Sequence, residues 1–227
     1  VALIAINVLI YLYQALILGG EPSRYSIRVG FKIENLSLEE VFLFTYGVTP
    51  CEILGRCTPF PEATFPIGLT LFTSMFLHGG LLHLASNMWY LWIFGDNVED
   101  AMGKVRFLIF YLLAGLAAAL AQIFSSASSP IPMVGASGAI AGVLGAYLVL
   151  YPYGRILTVV WFLYFLRFVQ IPAMIVLGFW FLLQLLSASL GGGSLGEGGV
   201  AWMAHIGGFV AGALLVRLFS RPYSSWR

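Results

Sequence analysis

Val134–Gly142 reads VGASGAIAG. Apart from one Val and one Ile, every residue is Gly, Ala or Ser. Small residues of this kind let one helix press closely against another where the solvent is lipid. The same stretch holds a serine, Ser137, just after a loop broken by Pro130 and Pro132. Ser137 is then either one more small residue in a packing seam or a nucleophile. The rest of the chain decides between the two.

The bulk composition fixes the solvent. Of 227 residues, 60% are hydrophobic and 9% are charged, with a mean hydropathy of +0.93. A soluble domain usually carries about 25% charge. No core of this size absorbs so much apolar surface, so the outer surface is itself apolar. A spanning helix needs about 20 mostly apolar residues. Six runs meet or approach that: 1–18, 82–100, 104–124, 137–152, 170–190 and 200–219. The fold class is therefore an all-α integral membrane bundle of six transmembrane helices, read as one domain over 1–227. The first residue is Val, already inside an apolar run, so the natural start is expected to lie upstream. That run has no basic segment before it and no small-residue cleavage pattern after it, which favours a retained helix over a signal peptide. A net charge of +1 points to no nucleic-acid partner.

The connection over 19–81 is far longer than an ordinary loop, and long ordered loops are usually functional. Its apolar part, LTLFTSMFLHGG (69–80), is expected to return to the membrane surface as short interfacial helices. It also holds Cys51 and Cys57. They form a disulfide if the segment faces an oxidising side, and are two free thiols if it does not. The glycines of LGGGSLGEGG (190–199) mark a mobile link. RILTVVWFLYFLRFVQ (155–170) is read as an interfacial or re-entrant piece rather than a seventh span. Six spans put both ends on one side, with Lys104, Arg106, Arg155, Arg167, Arg217, Arg221 and Arg227. The positive-inside rule makes that side cytoplasmic and turns the long first loop outward. The expected setting is a multi-pass protein of a prokaryotic plasma membrane.

Ionisable residues in membrane spans are rare, costly and usually functional. All three histidines, His78, His83 and His205, lie in or beside these spans. His83 and Asn87 are four residues apart and share a helical face. As an isolated pair they would be read as interhelical hydrogen-bonding glue. His78, beside Gly79 and Gly80, is expected to pin the loop to the helix end. His205 lies three residues before Gly208, and Gly208 and Gly212 form a small-xxx-small face. Gly138 and Gly142 form another on the fourth helix. Their contact would bring His205 beside Ser137.

Alone, Ser137 reads most simply as a helix N-cap. Yet a helix start also offers unpaired N–H groups and a partial positive charge, the donors an oxyanion needs. The combination points to a Ser137/His205 dyad for acyl transfer, with His83, Asn87 and the Ser137 N–H stabilising the tetrahedral oxyanion. No Asp or Glu is placed to orient His205. No HExxH is present and the cysteines lie in the outer loop, so neither a metal nor another cofactor is expected.

HGGLLHLASN (78–87), GASG (135–138) and AHIGG (204–208), in that order with apolar spans between, resemble the rhomboid intramembrane serine proteases. The resemblance covers nearly the whole chain. It implies a six-helix bundle with a water-filled cavity opening outward, Ser137 as nucleophile, His205 as base and an oxyanion site from His83 and Asn87. It implies substrates that are single-span membrane proteins, cut in or near the membrane after a small residue. It makes the fifth helix and the 190–199 loop a gate, and Gly135 part of the serine motif. Glu99 matches a structural carboxylate of the family. Members without the serine or histidine act as non-catalytic adaptors, and this chain has both. Two positions depart. A common Trp-Arg pair is Leu69-Thr70 here, so the loop must be held otherwise, a Cys51–Cys57 bridge being one means. An aromatic residue that supports the histidine in some members is Ala141.

Overall fold

The computed structural model describes residues 1–29, 32–60, 65–162, 165–190 and 200–221. Helix α1 runs Ala2–Tyr13 and continues as a π turn, Gln14–Leu18. Strands β1 (Pro22–Val29) and β2 (Lys32–Ser37) pair antiparallel. Ser37 then caps α2, Leu38–Tyr46, in a capping box with Glu40. Short α3 (Pro50–Ile53) and α4 (Thr70–Thr73) follow, the latter between 3-10 turns. The long helices are α5 (Leu81–Met102), α6 (Lys104–Ser125), α7 (Ser137–Leu150), α8 (Ala173–Ser189) and α9 (Trp202–Phe219). Between α7 and α8, β3 (Arg155–Phe162) pairs antiparallel with β4 (Phe165–Pro172).

Helix α7 is the axis of the bundle, packed against α5, α6, α8 and α9. Every residue from Gly138 to Ala146 is buried, which suits a helix that is small or apolar on all faces. The closest approach is to α9. A methyl group at Gly208 would overlap the Gly138 carbonyl, and one at Gly212 would overlap the Gly142 carbonyl. The two glycine faces read from the sequence are thus interlocked, and only glycine permits that spacing. On the outside, Leu9, Leu16, Trp89, Trp92, Phe124, Phe179, Leu214 and Leu218 are exposed. Such a surface is stable only against hydrocarbon.

Among the described residues, α6 and α9 are long and apolar enough to cross a membrane. The α4 region and α5 add a third candidate as a pair bent by 79°, while Ala2–Leu18, α7 and α8 are shorter apolar helices. The all-α expectation is corrected by the two hairpins. The described residues of the 155–170 piece are strand, not helix. Its β-branched and aromatic residues favour a pleated strand, and Pro172 ends the second strand before α8 begins. An open two-stranded sheet leaves unpaired edges that hydrocarbon cannot satisfy, so the hairpin belongs outside the hydrocarbon core. In the 190–199 link, residues 191–199 lie outside the described residues.

The first connection is ordered where it touches the chain leading to α7. Val48 and Met133 exchange two backbone hydrogen bonds, at 3.0 and 2.7 Å, and the Cys51 N–H donates to the Ser129 carbonyl. Cys51 and Cys57 are joined by a disulfide. The neighbouring Glu52 accepts the Phe60 N–H, and burial pushes its carboxyl above the usual range.

Candidate active site

Helix α7 begins at Ser137, with Ala136 as its N-cap. Ser137 is therefore the first helical residue rather than the cap, and its hydroxyl is free to turn inward. The approach to it is fixed on both sides. Gly135 donates its N–H to the Ser74 carbonyl at 2.9 Å. It takes φ +128°, a left-handed value that glycine alone adopts without strain. A Cβ there would stand 2.8 Å from the His83 ring. The loop thus lays its backbone directly against His83.

His205 reaches Ser137 from α9. Its Nε2 lies 2.9 Å from the Ser137 Oγ across 68 residues of sequence. The other ring nitrogen, Nδ1, lies 2.8 Å from Oε1 of Gln184 on α8. Trp180 of α8 and Trp202 of α9 flank the imidazole, with ring centroids 6.0 and 6.1 Å away. Gln122 of α6 accepts the Ala204 N–H one residue before His205 and so anchors the start of α9. The support missing at Ala141 on α7 comes instead from α8 and α9.

Ser137 and His205 line a cavity of about 540 Å³ that His83 and Asn87 also line. Asn87 is buried and gives one amide hydrogen to the His83 carbonyl at 2.8 Å. His78 is fully buried, its ring edge-on to His83 at 5.1 Å. Gln14 holds the His78 backbone at both its N–H and its carbonyl. Gly138 directly follows Ser137 and Gly208 lies about one turn beyond His205, with Gly142 and Gly212 a further turn along each helix. Glu99, grouped with the site on sequence, is not near it. It lies sixteen residues beyond His83 on α5, about 24 Å along the helix. There it borders a separate cavity with Asp100, Lys104 and Arg221.

Sequence reasoning missed Gln14, Gln122, Gln184, Trp180 and Trp202. The glutamines did leave a signal. Each is a polar side chain in an apolar helix, and such a group needs a partner.

The model of the rhomboid domain matches residues 68–222, well over half of the chain. The chain is similar to the rhomboid protease GluP of Bacillus subtilis, 49% identical over 78 residues, or 34% of this chain and 15% of that protein. It is 33% identical to RHOMBOID-like protein 6, mitochondrial, of Arabidopsis thaliana, over 69% of this chain and 45% of that protein. It is 29% identical to rhomboid protein 1, mitochondrial, of Saccharomyces cerevisiae, over 64% of this chain and 40% of that protein. The chain thus spans less than half the length of each. With the matched domain covering α5 to α9 and every residue that lines the cavity, the chain belongs to the rhomboid family of membrane proteins.

Proposed function

We propose that this chain is an intramembrane serine endopeptidase that cleaves single-span transmembrane proteins in or near the bilayer. The observation that carries this reading is the 2.9 Å contact between His205 Nε2 and Ser137 Oγ in the wall of a cavity. Ser137 Oγ attacks the scissile carbonyl as its proton passes to His205 Nε2. The carbonyl oxygen becomes an oxyanion, held by His83, Asn87 and the Ser137 N–H. As the C–N bond breaks, His205 returns the proton to the leaving amine and Ser137 carries an acyl ester. Water then enters, gives its proton to His205 and attacks the ester. The same proton returns to Ser137 as the second product leaves.

Six crossings by α1, α5, α6, α7, α8 and α9 complete the proposed architecture. The cavity then opens on the side of the Cys51–Cys57 bridge, which an oxidising compartment would maintain. Lys104, Arg106, Arg155, Arg167, Arg217 and Arg221 then belong to the opposite, cytoplasmic end, where α1 begins and α9 ends. A bacterial plasma membrane supplies those two faces, and so does the inner membrane of an organelle such as the one two of the relatives are named for.

The test is cleavage of a panel of single-span substrates in proteoliposomes. Wild type should cleave, and Ser137→Ala should lose activity by about 10⁴-fold or more. Equal cleavage by Ser137→Ala would overturn the assignment. A folded wild type that neither cleaves nor reacts with a fluorophosphonate at Ser137 would favour a non-catalytic adaptor instead.

A further inference from the structure

We infer that Gln184 of α8 is a positioning residue, which holds His205 in the one neutral form able to take the proton of Ser137. The inference rests on the serine-protease reading above and adds a third member to it.

The argument is one of hydrogen-bond direction. Gln184 is buried, 6% exposed. Its amide nitrogen donates to the Trp180 carbonyl one turn back on α8, at 3.2 Å. A carbonyl only accepts, so the amide must turn its NH₂ toward Trp180. Its oxygen then faces His205 Nδ1 at 2.8 Å. That oxygen too can only accept, so Nδ1 must carry the hydrogen. A neutral imidazole with hydrogen on Nδ1 has a bare Nε2. The bare nitrogen is the one 2.9 Å from Ser137 Oγ. The opposite amide orientation would set two carbonyl oxygens against each other at Trp180. It would also leave Nε2 protonated and donating to the serine, where it could not act as a base.

When Ser137 gives up its proton, the O–H bond breaks and an N–H bond forms at Nε2. The imidazolium then has two N–H groups, and the Nδ1–H still points at Gln184 Oε1. That bond strengthens as the ring gains charge, so it favours the transition state over the resting state. An amide does this without burying a carboxylate at membrane depth, where ionised groups are costly. The groups around His205 agree with this assignment. Helix α5 brings His83, α7 brings Ser137 and α6 brings Gln122, which is committed to the Ala204 N–H. Among the described residues, no carboxylate hydrogen-bonds His205.

The experiment compares Gln184→Met and Gln184→Glu with wild type. Methionine keeps length and loses the acceptor; glutamate keeps both length and acceptor. Gln184→Met should lower kcat by about 10- to 100-fold, the worth of a hydrogen bond to a charged group, with KM unchanged. Gln184→Glu should recover most of that loss. The thermal midpoint of each variant in detergent separates lost positioning from lost fold. Gln184→Met with wild-type kcat, or with a raised KM and unchanged kcat, would overturn the inference. So would a Gln184→Glu protein of native midpoint that is as slow as Gln184→Met. Ser137→Ala run beside them keeps the two readings apart: if wild type cleaves no better than Ser137→Ala, the protease reading fails first.

Discussion

At the scale of single residues, the site depends on atoms that are absent as much as on those present. Gly135 has no Cβ, and the His83 ring lies too close to leave room for one. Gly135→Ala would meet both that ring and an unfavourable φ, a backbone cost of about 1–3 kcal/mol. The loop or the His83 ring must then shift. In the proposed mechanism His83 is an oxyanion donor; loss of one outright costs about 10²–10³ in kcat, and a displaced donor costs part of that. Gly135→Ala is expected to slow substrate cleavage by about 10-fold and to lower the thermal midpoint by a few degrees. A variant with the wild-type rate and midpoint would show that the contact carries no weight. The neighbouring serine was legible in the sequence because a helix start after two prolines is a local signal. Gln184 was not, because its partner lies 21 residues away on another helix and no local pattern reports that contact.

At the scale of elements, the packing of α7 against α9 is the joint on which the site turns. The carbonyls of Gly138 and Gly142 fill the space left at Gly208 and Gly212. A backbone carbonyl cannot move aside as a side chain can. Gly212→Val should therefore destabilise the protein by about 1–3 kcal/mol or more, read as a lowered unfolding midpoint in detergent. An unchanged midpoint would mean that the helices are not locked at this crossing. The helices themselves were readable to within a few residues, because each apolar run is long and its ends are marked by Gly, Pro or charge. Helix α5, for instance, stops at Gly103, whose φ of +85° and N–H to the Glu99 carbonyl close its last turn. The β3–β4 hairpin was not readable. A strand announces itself by alternation of polar and apolar residues, and RILTVVWF is apolar on both faces. Its partner strand, FLRFVQIP, is nearly so.

At the scale of the whole molecule, the chain places a cavity lined by polar side chains inside an apolar shell. The exposed leucines, phenylalanines and tryptophans face outward, while the histidines, Asn87 and the three buried glutamines face the interior. The ordered first connection is stitched to the loop before α7 by Val48, Cys51 and Gly135, and the disulfide lies beside that seam. The polar end of the molecule is thereby built around the serine rather than draped over it. The lengths of the helices add a second constraint. Helix α7 has 14 residues, about 21 Å at 1.5 Å per residue. Hydrocarbon is about 30 Å deep. Tyr151, Tyr153 and Arg155 follow the lower end of α7, residue types that settle at a membrane interface. On the proposed six-span topology, with that end anchored, Ser137 would stop short of the opposite interface by about 9 Å, the rise of about six helical residues. The helix is in effect a depth gauge. A substrate should be cut about six residues inside its outer boundary, as mass spectrometry of the two fragments would report. Moving the target bond by a full turn of helix in either direction should cost most of the rate, whereas equal cutting at all depths would deny the gauge. Peptide bonds in an intact helix are closed to attack, so the register that the gauge selects must coincide with a place where the substrate's own helix gives way.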